Sequence, residues 1–307
     1  MQKIRRTKVI EGTVVPGIIN NGGHYFYIDV DVYEDGMVNC WELVDLRGLR
    51  DKIHSNWLSP SIPAGEHLSV HGLGSYTVES ANWLFNNETY FRHIESKVKT
   101  LNPEWENIYT ITAREKKLCE ERRIAHSPTA TNFYVAQELF YDTIEGNGFS
   151  VFMKEGDKNC LVNLVIYKDG VVVRYDASHE QAYQAEEVKA LFEEGTFFTS
   201  FEAPTAVLIP DLGEVVFSRS LYSTKIEDKY TELLDMQKKL RGEQSSLEAC
   251  REAYFMYLEH PSEFTRANLK EKYELVPEHE RMFLGDMDTK DWDYQRIIYR
   301  PNEKREV

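Results

Sequence analysis

The sequence predicts an α+β protein made of two similar units, each a β-meander with a hairpin and helices, followed by a small helical carboxy-terminal region. Three observations carry this expectation. Tyr33-Glu34-Asp35-Gly36 recurs as Tyr167-Lys168-Asp169-Gly170, each after alternating apolar residues (Ile28, Val30, Val32 and Val162, Leu164, Ile166) and before Val38 or Val172. A second anchor follows in the same order: Leu68, Val70, Leu73 and Gly74 correspond to Val207, Ile209, Leu212 and Gly213. Beyond residue 243 the apolar pattern takes a helical period. The units run over residues 1–107 and 131–243, with 108–130 as a charged connecting helix and 244–307 as the helical region with an acidic loop.

Within each unit the period-2 runs around Asp-Gly predict a hairpin, because that dipeptide tolerates the positive φ angles of a tight turn. Turns at Asn20-Asn21-Gly22-Gly23 and Glu145-Gly146-Asn147-Gly148 place a further strand before each hairpin. A short helix comes next, from Leu46, Leu49, Arg50 and Ile53 in the first unit and Val188, Leu191 and Phe192 in the second. Two more strands follow, around Leu68 to Val78 and Val207 to Phe217. Each unit closes on an amphipathic helix, marked by Tyr90, Ile94, Val98 and Leu101, and by Ile226, Tyr230, Leu233, Leu234 and Leu240. The mixed charges of Thr112 to Arg123 on helix-favouring residues predict the connecting helix. Ser245-Ser246-Leu247-Glu248 has capping-box spacing before a stripe of Leu247, Cys250, Tyr254, Tyr257 and Leu258, and a short helix from Ser262 to Tyr273 packs beside it. Pro277 suits a first helical position, and Arg296-Ile297-Ile298-Tyr299 reads as a final strand.

Composition narrows the function. Fifty-one acidic against 36 basic side chains give a net charge of −15 over 307 residues, which argues against duplex nucleic acid as the main partner. Residues 131–243 hold 20 acidic against 11 basic side chains, so more than half of the net negative charge lies on the second unit. No apolar run approaches the ~20 residues that span a bilayer, so no membrane partner is expected. The basic start from Met1 to Lys8 lacks the apolar core of a signal peptide, and Cys40, Cys119, Cys160 and Cys250 lack paired spacing. Reduced thiols in a cytoplasmic protein are the expectation.

The first hairpin carries the densest chemistry. With a two-residue Asp35-Gly36 loop, Asp29 lies opposite Glu42 and Asp31 opposite Cys40 on one face, with Val30, Val32 and Trp41 on the other. Opposed carboxylates repel unless water, a proton or a cation separates them. Asp29, Asp31, Glu42 and Asp45 are then hard oxygen ligands of the kind Mg²⁺ or Mn²⁺ takes. The second unit has Asn163 and Val165 at the positions of Asp29 and Asp31, so the acidic face is specific to the first. Strands commonly carry polar residues on a wet face, and a scaffold role competes with the metal one.

Tyr27-Ile28-Asp29-Val30-Asp31, with Val32-Tyr33-Glu34-Asp35-Gly36 and then Glu42 and Asp45, resembles the core strands of FomD-like nucleoside di- and triphosphate phosphohydrolases over about twenty residues. The resemblance implies a divalent-metal phosphohydrolase, with Asp29, Glu42 and Asp45 as ligands and Arg47, Arg50 and Lys52 of the following helix against phosphate. The chain departs from the pattern after the turn, where the acidic run is reduced to Glu42-Leu43-Val44-Asp45, and Tyr25 and Tyr27 stand where further acids would be expected.

Other motifs are weaker. His67 and His71 sit on a predicted strand, about 13 Å apart at ~3.3 Å per residue, too far for one zinc ion. The acidic loop around Asp286 and Asp288, with Trp292 and Tyr294 beside it, lacks calcium-loop spacing and reads as a recognition loop; Trp41, Trp57, Trp83 and Trp105 all lie in the first unit and would mark a binding face if several are exposed together, Trp41 being the candidate contact. No nucleophile elbow, phosphate-binding glycine loop or His-Glu-x-x-His occurs. The leading expectation is a non-enzymatic binding protein whose partner is another protein or a small molecule; the alternative is the metal-dependent nucleotide hydrolase.

Overall fold

A computed structural model describes residues 10–122, 145–175, 181–285 and 290–303. The chain opens with β1 (Gly12–Asn21) and β2 (His24–Tyr33), paired antiparallel through Gly22 and Gly23, both at positive φ. Short β3 (Val38–Asn39) and β4 (Leu43–Val44) lead into α1 (Leu46–His54) and β5 (Leu58–Ser59). Strands β6 (His67–Val70) and β7 (Gly74–Trp83) precede α2 (Asn87–Leu101) and α3 (Ala113–Arg122). The pattern then repeats: β8 (Gly146–Glu155), β9 (Lys158–Tyr167), β10 (Val171–Arg174), β11 (Gln181–Gln184), α4 (Ala185–Glu193), β12 (Phe197–Phe198), β13 (Thr205–Ile209), β14 (Gly213–Ser223) and α5 (Ile226–Arg241). The chain ends in α6 (Ser246–Glu259), α7 (Glu263–Glu274), a 3₁₀ turn over Glu278–Phe283 and α8 (Trp292–Tyr299).

The two Asp-Gly hairpins use one device. Val32 pairs with Val38, and Ile166 with Val172. Each register leaves a three-residue loop ending in glycine at positive φ, +80° at Gly36 and +93° at Gly170, whose N–H bonds the carbonyl of Tyr33 or Tyr167 at 3.0 Å. The expected two-residue loop is therefore one residue short, and the register moves with it. The turn expected at residues 145–148 is not a turn: Gly146 and Gly148 lie in β8 opposite Tyr167 and Val165. Glycine is needed there for close approach, since a Cβ on Gly146 would stand 2.5 Å from the Val165 side chain. The real turn follows at Gly156, φ +58°.

The chain forms two compact units. One takes the described residues within Met1–His71, Ser75–Asp142 and Ala203–Arg219, with strand order β13-β14-β7-β6-β2-β1-β5 and β3 and β4 beyond β2. Thus β13 and the start of β14, which belong to the second sequence repeat, build the sheet of the first unit. Ile28, Val30 and Val32 turn into its core, where Tyr90 of α2 donates to the Pro16 carbonyl at 2.8 Å.

The other unit takes Gly72–Gly74 and the described residues within Thr143–Glu202 and Ser220–Val307, and orders its own strands β11-β10-β9-β8-β12. Phe149, Val151, Val162, Leu164, Phe192 and Leu233 lie in its main core. A second core gathers Leu247, Cys250, Leu269, Tyr273, Tyr294, Ile297 and Ile298 from α6 to α8. The expected closing strand at 296–299 is helical instead. Tyr294, Ile297 and Ile298 repeat at helical spacing and are buried, whereas a four-residue apolar run alone fits either period. Capping boxes at Ser245 and Ser262 fix the starts of α6 and α7, as the spacing at Ser245 predicted.

Candidate functional site

The candidate site lies in the first unit, around β2, β3 and α1. Asp31 pairs with Asn39, whose amide donates to its carboxylate at 2.9 Å. That register removes Glu42 from the position opposite Asp29. The chain leaves the strand after Asn39 and turns at Trp41, φ +67°, and Glu42 meets Lys52 at 2.8 Å. Asp45 is buried and caps α1: one oxygen accepts from the Gly48 N–H at 2.8 Å and the other from the Ile111 N–H at 2.8 Å. Asp29, Glu42 and Asp45 are therefore not brought together. Among the described residues, only Glu232, His279 and Glu280 place three such ligand atoms within 4.8 Å of one another. Asp45→Ala is expected to cost about 1–2 kcal/mol as the loss of a cap, read as a lower denaturant midpoint at unchanged slope.

Asp29 and Asp31 do share the outward face of β2. Although Asp29 is exposed, partial burial of its carboxyl by the surrounding chain, and then the charge of Asp31, raise it above its ordinary value. Burial likewise raises Asp31, against the bond from Asn39. Tyr27, next on that face, is raised by burial and then by Asp29 and Asp211. Ionised Asp29 thus slightly opposes folding, and that penalty fades as pH falls through its raised folded value.

The expected phosphate-contacting side chains are separated. Arg50 and Lys52 stand two residues apart on α1, about 200° around the helix, and so face nearly opposite ways. Arg50 lies over the Phe91 ring at 4.4 Å, Lys52 over the Trp57 ring at 3.7 Å, and Arg47 is exposed.

What α1 and the hairpin do assemble is an aromatic face. Trp41 is 57% exposed and packs against Phe26, with centroids 5.5 Å apart, and edge-on against Trp57 at 6.5 Å. The Lys52–Glu42 pair sits beside these rings. Left-handed backbone is unusual for a bulky residue. Four tryptophans, Trp41, Trp57, Trp83 and Trp105, fall in the first unit of the sequence, but no local signal announces the positive φ at Trp41.

In the carboxy-terminal region, Trp292 is 52% exposed under the Arg300 guanidinium at 4.2 Å. Tyr294 does not join it: its ring is buried and stacks on Tyr254 at 4.2 Å. Asp286 and Asp288 lie outside the described residues. Cys40, Cys160 and Cys250 are buried free thiols, and burial raises Cys40 to about 11 and Cys250 to about 12, so neither is a ready nucleophile. No helix among the described residues is long and apolar enough to cross a membrane.

A family model described as a domain of unknown function, DUF7638, matches residues 1–105 and 134–244, in keeping with the duplication. A second, described as DUF7639, matches residues 245–306, the region of the separate helical core. No curated protein and no solved structure matches the chain. With the repeated match covering more than half of its length, the chain belongs to the DUF7638 family.

Proposed function

We propose that this is a non-enzymatic binding protein and that the face built from Phe26, Trp41 and Trp57 contacts a protein partner. The observation that carries the reading is Trp41, held at φ +67° with its indole exposed. Left-handed backbone costs roughly 1–2 kcal/mol in a residue with a Cβ. Such strain concentrates at functional positions, and tryptophan is enriched at the centres of binding surfaces. The acidic charge of the chain favours a basic partner.

Trp41→Gly tests this. Glycine removes the strain, while two aromatic contacts worth ~0.5–1.5 kcal/mol each are lost, so stability should fall by no more than about 2 kcal/mol. Immobilised wild-type protein should recover a saturable partner from native lysate, and Trp41→Gly should lose it while still unfolding cooperatively within roughly 8 °C of the wild-type melting temperature. Retention of that partner by the variant would refute the face.

The metal-dependent nucleotide hydrolase remains the competing reading, supported by the Asp29 and Asp31 carboxylates sharing one face. With Asp45 occupied as a cap and Glu42 paired to Lys52, we expect the melting temperature to be unchanged by millimolar Mg²⁺ or Mn²⁺, and no nucleotide turnover. A metal-dependent rise that vanishes in Asp29→Asn would reverse this preference.

A further inference from the structure

A second feature of the first unit is a cleft of about 660 Å³, within the range of small-molecule sites. Its frame is fixed before any ligand arrives. Asn86 caps α2 in a capping box with Thr89. The Asn87 amide ties that helix start to the end of α1, donating to the Ile53 carbonyl at 3.2 Å and to Asn56 Oδ1 at 2.7 Å. The Ser59 hydroxyl donates to the Ser61 carbonyl at 2.7 Å and accepts from the Ser61 N–H at 3.2 Å. Asn56 holds φ +57°, a conformation asparagine tolerates better than most residues.

Several polar groups lining this frame remain unused. Among the described residues no hydrogen bond engages the side-chain nitrogens of Asn20, Asn56 and Asn86, or the hydroxyls of Tyr25 and Ser61. Charge decides what they suit. No Lys, Arg or His lines the cleft, and the chain is strongly acidic, so a phosphate or carboxylate ligand would lack a counter-charge. Its one carboxylate, Glu88, is paired with Arg92 at 3.0 Å, which leaves no anionic site for a cation. Ile62, itself almost fully buried, and Pro63 are its aliphatic lining residues, too little for a hydrocarbon ligand. The three amide nitrogens donate, and the two hydroxyls both donate and accept, which matches a ligand with adjacent hydroxyl groups that also do both.

We infer that this cleft binds a neutral saccharide, with Tyr25, Asn56 and Ser61 among its hydrogen-bonding residues. The cleft does not use the Trp41 indole, so its occupancy is independent of the protein contact proposed above.

Saturation-transfer NMR on the full chain tests the site with a panel of glucose, galactose, mannose, xylose, N-acetylglucosamine, their common disaccharides and myo-inositol, with inorganic phosphate and ATP as charged controls. At least one saccharide should give a saturable signal. A lost neutral hydrogen bond weakens binding roughly two- to tenfold, so Tyr25→Phe and Ser61→Ala should each raise its Kd by about that factor. Asn56→Gly, compatible with the positive φ, should raise it further, while Trp41→Gly leaves it unchanged. Melting curves identify any variant that fails to fold, and Ser61→Ala, the smallest change, then carries the test. Absence of saturable binding across the panel would overturn the assignment. So would a signal indifferent to the cleft variants, or displacement of the sugar by phosphate.

Discussion

Replacing Glu232 with glutamine is expected to destabilise the second unit by about 3 kcal/mol, lowering the melting temperature by roughly 10 °C. Lys229 has no solvent exposure, and its ammonium donates to the Gly72 carbonyl at 3.0 Å and to Glu232 Oε2 at 2.9 Å. The same carboxylate oxygen lies 2.9 Å from His279 Nε2. Burial pushes the Glu232 carboxyl up, but the bonds and charges of His279 and Lys229 together hold it below its ordinary value. Burial holds Lys229 below its own ordinary value against the attraction of Glu232. A neutral side chain at 232 strands that ammonium without an anion, whereas Lys229→Met combined with Glu232→Gln removes the stranded charge and should be milder than Glu232→Gln alone. The pH dependence follows. A depressed carboxyl stabilises the fold above its ordinary value near 4.5 and loses that contribution as pH falls below it. Acid unfolding should therefore begin at higher pH in wild type than this site's absence would give, and the variant should lose that part of the slope. Denaturant melts between pH 3 and 7 check both claims; equal midpoints for Glu232→Gln and wild type at pH 7 would contradict the first.

Gly213→Ala should be comparably severe, at roughly 3–5 kcal/mol. Gly213 has φ +140°, and a Cβ there would press on the Asn82 carbonyl oxygen and stand 3.0 Å from Trp83 Cα. Both neighbours are backbone, held in place by the Leu84 N–H to Leu212 carbonyl bond at 2.9 Å, so neither can swing aside. Gly17→Ala is the comparison: it overpacks the buried Tyr90 hydroxyl and the Val30 and Leu58 side chains, but meets no backbone atom and holds a φ that alanine accepts. Chemical denaturation of the pair should show Gly213→Ala as the larger loss. The matching glycine of the first repeat, Gly74, has φ +152°, so the Leu-Gly anchor recurs in sequence because both copies place glycine where a Cβ-bearing residue is strained.

Much of the fold was legible from the residues alone, because its signals are local. Asp-Gly turns, capping boxes and apolar stripes act over a few residues, and they located the hairpins and the helices from α1 to α7. Register is a different matter. A three-residue loop sets Val32 against Val38 where a two-residue loop would set it against Asn39, but the returning strand is only two residues long and offers one apolar residue to fix the choice, and that choice carries Glu42 away from Asp29 and into its pair with Lys52. The Asp45 carboxylate reads equally as ligand or cap, and only the arrival of the Ile111 N–H, 66 residues further on, decides it.

The sequence by itself determined the duplication, the α+β class and the helical end of the chain, since repeated motifs and periodicity need no partner to be read. Tertiary structure alone decided that β13 of the second repeat joins the sheet of the first unit, that Tyr294 turns inward while Trp41 turns outward, and that Lys229, Glu232 and His279 meet. The reason is physical. Each of these depends on contacts between residues tens of positions apart or on one backbone dihedral, and neither leaves a period or a spacing in the sequence.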